Sequence, residues 1–259
     1  MNYRCEIISG YHIKEKTKVE VIGLELPIFK GNEDINLSEL IAQYPIKDGD
    51  IIVIAETLIS KLEGNVIDKD KIIPSKEAIE LAEKTGKDPK VVQVILNEAK
   101  EVVKVGKNFI ITETKHGFVC ANSGVDESNV LGIKTLPKNP DESAEKIRKE
   151  IEKLTGKRVG VIISDSVGRP FRKGAVGIAI GVSGILALWD RKGEKDLFGR
   201  ELKTTEVAIA DELASMANVV MGEADEGIPV VIIRGAKVPF GDGKGKDLIR
   251  PKEVDVFRN

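Results

Sequence analysis

Aromatic residues, cysteine and histidine are scarce in this chain, and each shortage closes off a class of protein. One Trp, three Tyr and seven Phe make up 4% of 259 residues. The core must therefore be built from Ile, Val, Leu and Ala. The two cysteines, Cys5 and Cys120, are far apart and form no CxxC pair or metal framework. Both read as core or half-buried strand residues kept reduced in a cytosolic compartment. The two histidines, His12 and His116, cannot by themselves make a His-rich zinc site. His116, between Lys115 and Gly117, reads as part of a surface turn.

No stretch approaches the roughly 18 apolar residues of a membrane span. The opening residues, MNYRCE, lack the apolar region of a secretory signal. A cytoplasmic protein without a membrane partner is expected. A dominant charge is missing as well. Forty basic and 42 acidic residues leave a formal net charge of −2, which provides no field to attract a nucleic-acid backbone. Some familiar motifs are also absent. There is no GxSxG elbow, and FGDGKGKD at 240–247 has neither Walker A nor GxGxxG spacing. That segment reads as a mobile glycine-rich loop.

What is present is 41% hydrophobic and 32% charged residues, enough for a sizeable core. No repeat, low-complexity tract or linker-like shift interrupts the chain. Residues 1–259 are read as a single domain, with room for two interleaved subdomains. Strand-like and helix-like segments alternate, which predicts a mixed α/β or α+β fold. Strands are expected at 18–22, 50–55, 109–112, 117–121, 159–164 and 229–233. The pair at 109–112 and 117–121 is spaced as a hairpin. At 56–61 the chain is expected to leave the sheet. Helices are expected at 37–44, 75–85, 89–103, 140–155 and 205–221. The clearest has Asn139 as its cap, Pro140 in its first turn and Gly156 as its stop. Its apolar stripe is Ala144, Ile147, Ile151 and Leu154.

Three polar segments carry candidate chemistry. In SDSVGRP at 164–170, Asp165 follows a hydrophobic strand directly, where a side chain is held rigidly toward a ligand. Ser166 adds a neutral oxygen, Gly168 permits a tight turn, and Arg169 and Arg172 suit phosphate or carboxylate oxygens. In NSGVDESN at 122–129, Asp126, Glu127 and Asn129 crowd a short loop. In MGEADEGI at 221–228, three acids and two glycines bridge a helix and a strand. Such a loop repels phosphates unless a cation intervenes. Hard oxygen donors of this kind suit Mg²⁺ or Mn²⁺. Read one at a time, each segment is better explained as an ordinary polar turn.

Read in order, they resemble a known family. LPIFKGN at 26–32, ETLISK at 56–61, SGVDESN at 123–129, SDSVGRPFRKGAVGIAIG at 164–181, DLFGREL at 196–202 and MGEADEGIP at 221–229 are similar to the F420 gamma-glutamyl ligases, over nearly the whole chain. The resemblance implies an α+β fold of mixed sheets with packed helices and two subdomains in an intertwined homodimer. It implies a GTP-dependent ligase that joins L-glutamate to the lactyl carboxylate of a deazaflavin acceptor and then adds a γ-linked glutamate.

Two divalent ions, Mg²⁺ or Mn²⁺, and K⁺ are implied as cofactors. Asp126 and Asp165 would hold one divalent ion, Ser166 and Glu223 the other. GTP would meet Leu26, Pro27, Ile28, Thr57, Lys61 and Asn129. It would also meet the loop of Met221, Gly222, Glu223, Ala224, Asp225, Glu226, Gly227 and Ile228. Lys61, Arg169 and Arg172 are the candidates for stabilising transferred charge. Glu56 stands where members often carry Ser, and needs a metal or Lys61 as a partner, or must turn away. Ser166 replaces a frequent Thr and keeps the hydroxyl. The same design would serve a ligase with a folate or pterin acceptor, or a nucleotide- and metal-binding protein without catalysis.

Overall fold

A computed structural model describes residues 18–31, 33 and 35–257. Cys5, His12, Asn32 and Asp34 lie outside the described residues. In chain order the elements are β1 (Glu20–Leu24), α1 (Leu37–Ala42), β2 (Ile51–Ala55), α2 (Glu56–Leu62), β3 (Val66–Ile67), α3 (Lys76–Thr85), α4 (Pro89–Glu98), β4 (Ala99–Gly106), β5 (Phe109–Thr114) and β6 (Val119–Ala121). There follow β7 (Ile133–Lys134), α5 (Pro140–Thr155), β8 (Gly160–Arg169), β9 (Arg172–Ser183), β10 (Trp189–Asp190), β11 (Glu206–Val207), α6 (Ile209–Met221) and β12 (Val230–Arg234). The fold is the mixed α and β arrangement expected.

A five-stranded sheet in the order β1-β12-β2-β8-β9 forms the centre. Only β2 and β8 run parallel; the other neighbours are antiparallel. Its strands are apolar on both faces because both faces are covered. Ile52, Ile54, Val161, Ile163, Val230 and Ile232 face α1, α2 and α5. Their neighbours Ile51, Val53, Ile162, Val231 and Ile233 face α6. This is the period-two alternation of strand side chains, used in both directions. A third apolar cluster joins α3 and α4 to Ile110, Val125 and Ile133 beside the sheet β4-β5-β6. At the end of the central sheet where β12 finishes and β2 begins, Arg234 grips buried Asp50 with two hydrogen bonds of 2.9 and 2.7 Å, a bidentate pairing.

Helix boundaries follow their capping residues. Ser75, Asp88 and Asn139 each accept a backbone N–H at the start of α3, α4 and α5. Gly86 and Gly156 end α3 and α5 in the left-handed conformation.

Several expectations are corrected. The helix expected to run to residue 103 stops at Glu98, and Ala99–Gly106 is strand β4 paired with β5. Valines 102, 103 and 105 are stiff at the β-carbon and favour that pairing over another helical turn. At 56–61 the chain leaves the sheet as expected, and it does so as helix α2. Residues 164–169 are not a loop: β8 continues through Arg169 and folds back as the long β9. The turn falls on Pro170 and Phe171, and Phe171 rather than Gly168 takes the positive φ of 63°. Helix α6 begins at Ile209, since Glu206–Val207 pairs with Trp189–Asp190. Leu154 faces outward. The glycine-rich 240–247 segment is packed rather than free. A β-carbon on Gly243 or Gly245 would lie 2.3 Å from the Ala187 amide nitrogen or 2.4 Å from the Ile180 carbonyl oxygen.

Gly181 of β9 shows how tightly α5 sits on the sheet. A β-carbon there would lie 2.3 Å from the carbonyl oxygen of Pro140, so the helix start or the strand must move. Gly181→Ala is expected to lower stability by about 1–3 kcal/mol. Equilibrium urea unfolding checks this; a midpoint equal to wild type would contradict the close packing.

Candidate active site

The topology gathers one end of the central sheet. Strands β2 and β8 are parallel, with Ala55 opposite Ser164, so the next residues, Glu56 and Asp165, emerge in neighbouring positions. Strand β12 runs antiparallel to β2, which brings the loop before it to the same end; the Ala55 amide donates to Pro229 at 2.9 Å. Strand β1 pairs Leu24 with Val230, so the residues after Leu24 return there too. The Leu26 amide reaches Gly227 at 3.4 Å. Ligands of open sheets bind beyond the carboxyl ends of parallel strands, and the cleft lies there.

That cleft has a volume of about 550 Å³, within the range of small-molecule sites. Its lining includes Leu26, Pro27, Ile28, Thr57, Lys61, Asp126, Asn129, Asp165, Ser166 and every residue of 221–228. The structure therefore brings together all the sequence-predicted nucleotide and metal positions. Arg169 and Arg172 are not among the lining residues. They sit at the β8–β9 hairpin tip, where Arg169 donates to the Gly174 carbonyl at 3.1 Å.

The wall opposite the sheet end is the 122–134 segment. Asn122, Ser123 and Gly124 are left-handed in succession, with φ of 56°, 56° and 69°. For Asn and Ser such a run is costly, and it persists only where its surroundings enforce it. Here the buried Ser123 hydroxyl lies 2.8 Å from the Thr112 hydroxyl and donates to the Ile95 carbonyl at 3.1 Å. The Asn122 carboxamide oxygen accepts from the Ile110 amide. This fixes the exit toward Asp126, whose Oδ1 accepts from the Glu127 amide and the Ser128 hydroxyl. Asn129 then spans the cleft and donates to the Ala224 carbonyl at 3.0 Å. On the far side, Ser166 donates to Glu223 at 3.0 Å and Asn218 donates to the other Glu223 oxygen at 2.8 Å. Gly222 has a φ of 71°, a conformation that favours glycine, and a β-carbon there would push the Glu226 carboxylate aside.

Glu56 is buried, and its partner is not Lys61 but the buried ammonium of Lys134. Thr57 and Ser60 hydroxyls also donate to its carboxylate. Burial alone would lower the Lys134 pKa, but Glu56 and Asp165 outweigh it and the net shift is upward. Lys134 thus stays charged. Asp165 is pushed up to about 7, first by burial and then by the Glu56 carboxylate, against the pull of Lys134 and the Ser166 amide. Cys120, also at the cleft wall, is pushed up to about 12 by burial and by Asp165, so it is a neutral thiol. Burial lowers the Lys61 pKa, with Glu33 opposing.

Among the described residues, no three His, Cys, Asp or Glu side chains form a ready metal cage. The donor set nonetheless fits a hard cation. Burial and the Glu56 carboxylate raise the Asp165 pKa most, and repulsion from Asp126 adds a smaller push in the same direction. A divalent ion between them would relieve the repulsion. Mg²⁺ commonly takes one or two carboxylates, with phosphate and water completing the shell.

Lys134 and Asn218 are the site residues that sequence reading missed. The one available signal was Glu56, since a buried acid requires a cation. Nothing local marks which lysine answers it.

The family model described as F420-0:Gamma-glutamyl ligase matches residues 23–235. The chain is 93% identical over 248 residues to coenzyme F420:L-glutamate ligase of Methanocaldococcus jannaschii, covering 95% of this chain and 100% of that one. It is 71% identical over 247 residues to the protein of that name from Methanococcus maripaludis, covering 95% and 100%. It is 46% identical over 245 residues to the one from Archaeoglobus fulgidus, covering 93% and 97%.

Removing Lys134 would leave Glu56 buried and unpaired beside Asp165. Lys134→Met is expected to cost about 3–5 kcal/mol, and adding Glu56→Gln should recover much of the loss. Denaturant unfolding of the single and double variants measures this. A single variant as stable as wild type would remove the pair from its structural role.

Proposed function

Since the chain belongs to the F420-0:gamma-glutamyl ligase family, we propose that it joins L-glutamate to coenzyme F420-0 by amide bonds, first on the lactyl carboxylate and then through a γ-linkage, driven by conversion of GTP to GDP and phosphate. The observation that carries this reading is one cleft lined by three acidic segments and by the apolar run Leu26, Pro27 and Ile28. Ile28 is 87% exposed there, an apolar surface suited to the face of a purine base.

A free carboxylate is a poor acyl donor because oxide is a poor leaving group. In the proposed reaction an acceptor carboxylate oxygen attacks the γ-phosphorus of GTP. The bond from phosphorus to the GDP oxygen breaks, giving an acyl phosphate and GDP. The glutamate amine then attacks the acyl carbon, loses a proton, and inorganic phosphate leaves with the second electron pair. The burden on the protein is mostly positioning and charge stabilisation. Divalent ions held by Asp126 and Asp165, and by Ser166 and Glu223, would neutralise phosphate charge; K⁺ is the monovalent ion the resemblance implies.

Lys61 sits in the same lining and makes no salt bridge among the described residues, so its ammonium is available to a phosphate. Asn129 and the 221–228 loop close around the nucleotide. Arg169 and Arg172 take part only if the hairpin tip reaches a bound nucleotide in this chain or a neighbouring one. Phe171, Leu197 and Phe198 are exposed at 92%, 101% and 87%, and these apolar tips support association into a homodimer.

Incubation with F420-0, GTP, Mn²⁺ and L-glutamate should give products heavier by one and then two glutamyl residues by mass spectrometry. No mass increase with F420-0, or an increase only with a folate or pterin acceptor, would sink the reading. Asp165→Asn should reduce turnover by about a hundredfold or more with the circular dichroism of wild type. Near-normal turnover at saturating metal would rule out the role assigned to Asp165.

A further inference from the structure

A second cavity, of about 190 Å³, adjoins the cleft. The two have Cys120, Asp165 and Val167 in common, so Asp165 borders both. The smaller cavity falls below the roughly 300–1,000 Å³ of sites for drug-sized ligands. It is too small for a nucleotide or a deazaflavin. Its lining is apolar around Ile180 and Ile249, with Asp211 and Arg250 as groups of opposite charge.

Both charged groups have capacity left for a ligand. Asp211, in the first turn of α6, accepts the Ala179 amide on one oxygen at 2.9 Å; its other oxygen has no donor among the described residues. Arg250 makes no ion pair among the described residues. By contrast Asp255, also in the lining, already accepts from the Phe257 amide at 3.0 Å. The segment that carries Arg250 is anchored. Just before it, the Gly245 amide donates to Asp141 at 2.7 Å, and Gly245 packs on the Ile180 backbone. The cavity offers an anchored anion at Asp211, an exposed cation at Arg250 and an apolar floor, with Asp165 and Asp255 as further carboxylates in its lining. That pattern matches a small zwitterion with a short aliphatic body.

We propose that this cavity seats the amino-acid co-substrate, with its ammonium at Asp211 and one of its carboxylates at Arg250, so that its nitrogen faces the cleft across Asp165. The assignment rests on the ligase reading above for the identity of that amino acid.

Calorimetry of L-glutamate binding to the full chain, with Asp211→Asn and Arg250→Gln beside wild type, tests it. Asp211→Asn keeps an oxygen for the Ala179 amide, so loss of binding reports the charge and not the fold. Each variant is expected to bind L-glutamate about tenfold to a hundredfold more weakly, as for loss of a charged hydrogen bond. KM for L-glutamate should rise in proportion while KM for GTP stays within about twofold. Arg250→Lys should restore part of the affinity. Arg250→Gln should narrow the preference for L-glutamate over one of its two amides, L-glutamine or L-isoglutamine, by about tenfold or more. Folded variants with wild-type affinity and wild-type preference would overturn the assignment, as would equal rises in KM for glutamate and GTP. Wild-type protein that binds L-glutamate through these residues yet forms no F420 product would overturn the ligase reading and leave the cavity assignment standing.

Discussion

The buried contact between Glu56 and Lys134 is the interaction on which the site depends. Strand β2 ends beside Ser164 of the parallel strand β8, which places Glu56 and Asp165 in neighbouring positions at an apolar wall. Buried like charges cannot both persist without compensation. Lys134 supplies it from β7, an element outside the central sheet. The pair therefore does more than neutralise a charge. It ties the layer that carries Asp126 to the sheet that carries Asp165, because Asp126 and Lys134 exchange backbone hydrogen bonds of 2.9 and 3.3 Å. Replacing such a pair with apolar groups is often harmless to stability. Its value here is geometric, since it sets the spacing between two carboxylates on different elements.

Around that anchor the fold uses rigid and constrained parts differently. The sheet end is rigid, with strands buried on both faces. The opposite wall is a run of left-handed residues locked by the Ser123 hydroxyl and the Asn122 carboxamide. Strained backbone of this sort is seen where a ligand must be met by a fixed set of groups. Asn129 and Ala224 join the two walls across the mouth. The result is a cleft whose acidic groups are positioned before anything binds, which lowers the reorganisation needed during charge transfer.

Asp165 borders a large cleft and a small cavity, and in the proposed reaction the two would separate carboxylate activation from delivery of the amine. Carboxylate activation needs phosphates and cations, and the large cleft offers acids, Lys61 and an apolar shelf. Delivery of an amine needs a small polar seat from which water is largely kept away. The neutral thiol of Cys120, beside Asp165, contributes no competing nucleophile at the boundary.

Much of this was legible in the chain itself. Continuous Ile and Val runs determined the buried strands, caps such as Asn139 and Gly156 determined the helix limits, and the order of polar segments determined the family. Short-range chemistry governs those features, so they can be read locally. Three things were decided only by tertiary structure. Residues 99–106 became a strand because β5 was there to pair with, and β8 ran on past Asp165 because β9 folded back along it. Arg169 and Arg172, adjacent in sequence to the acidic cluster, were carried away from it by that hairpin. Glu56 found Lys134, 78 residues distant, instead of Lys61 one turn along its own helix. Long-range charge pairing depends on which elements the topology places face to face, and no local pattern records that.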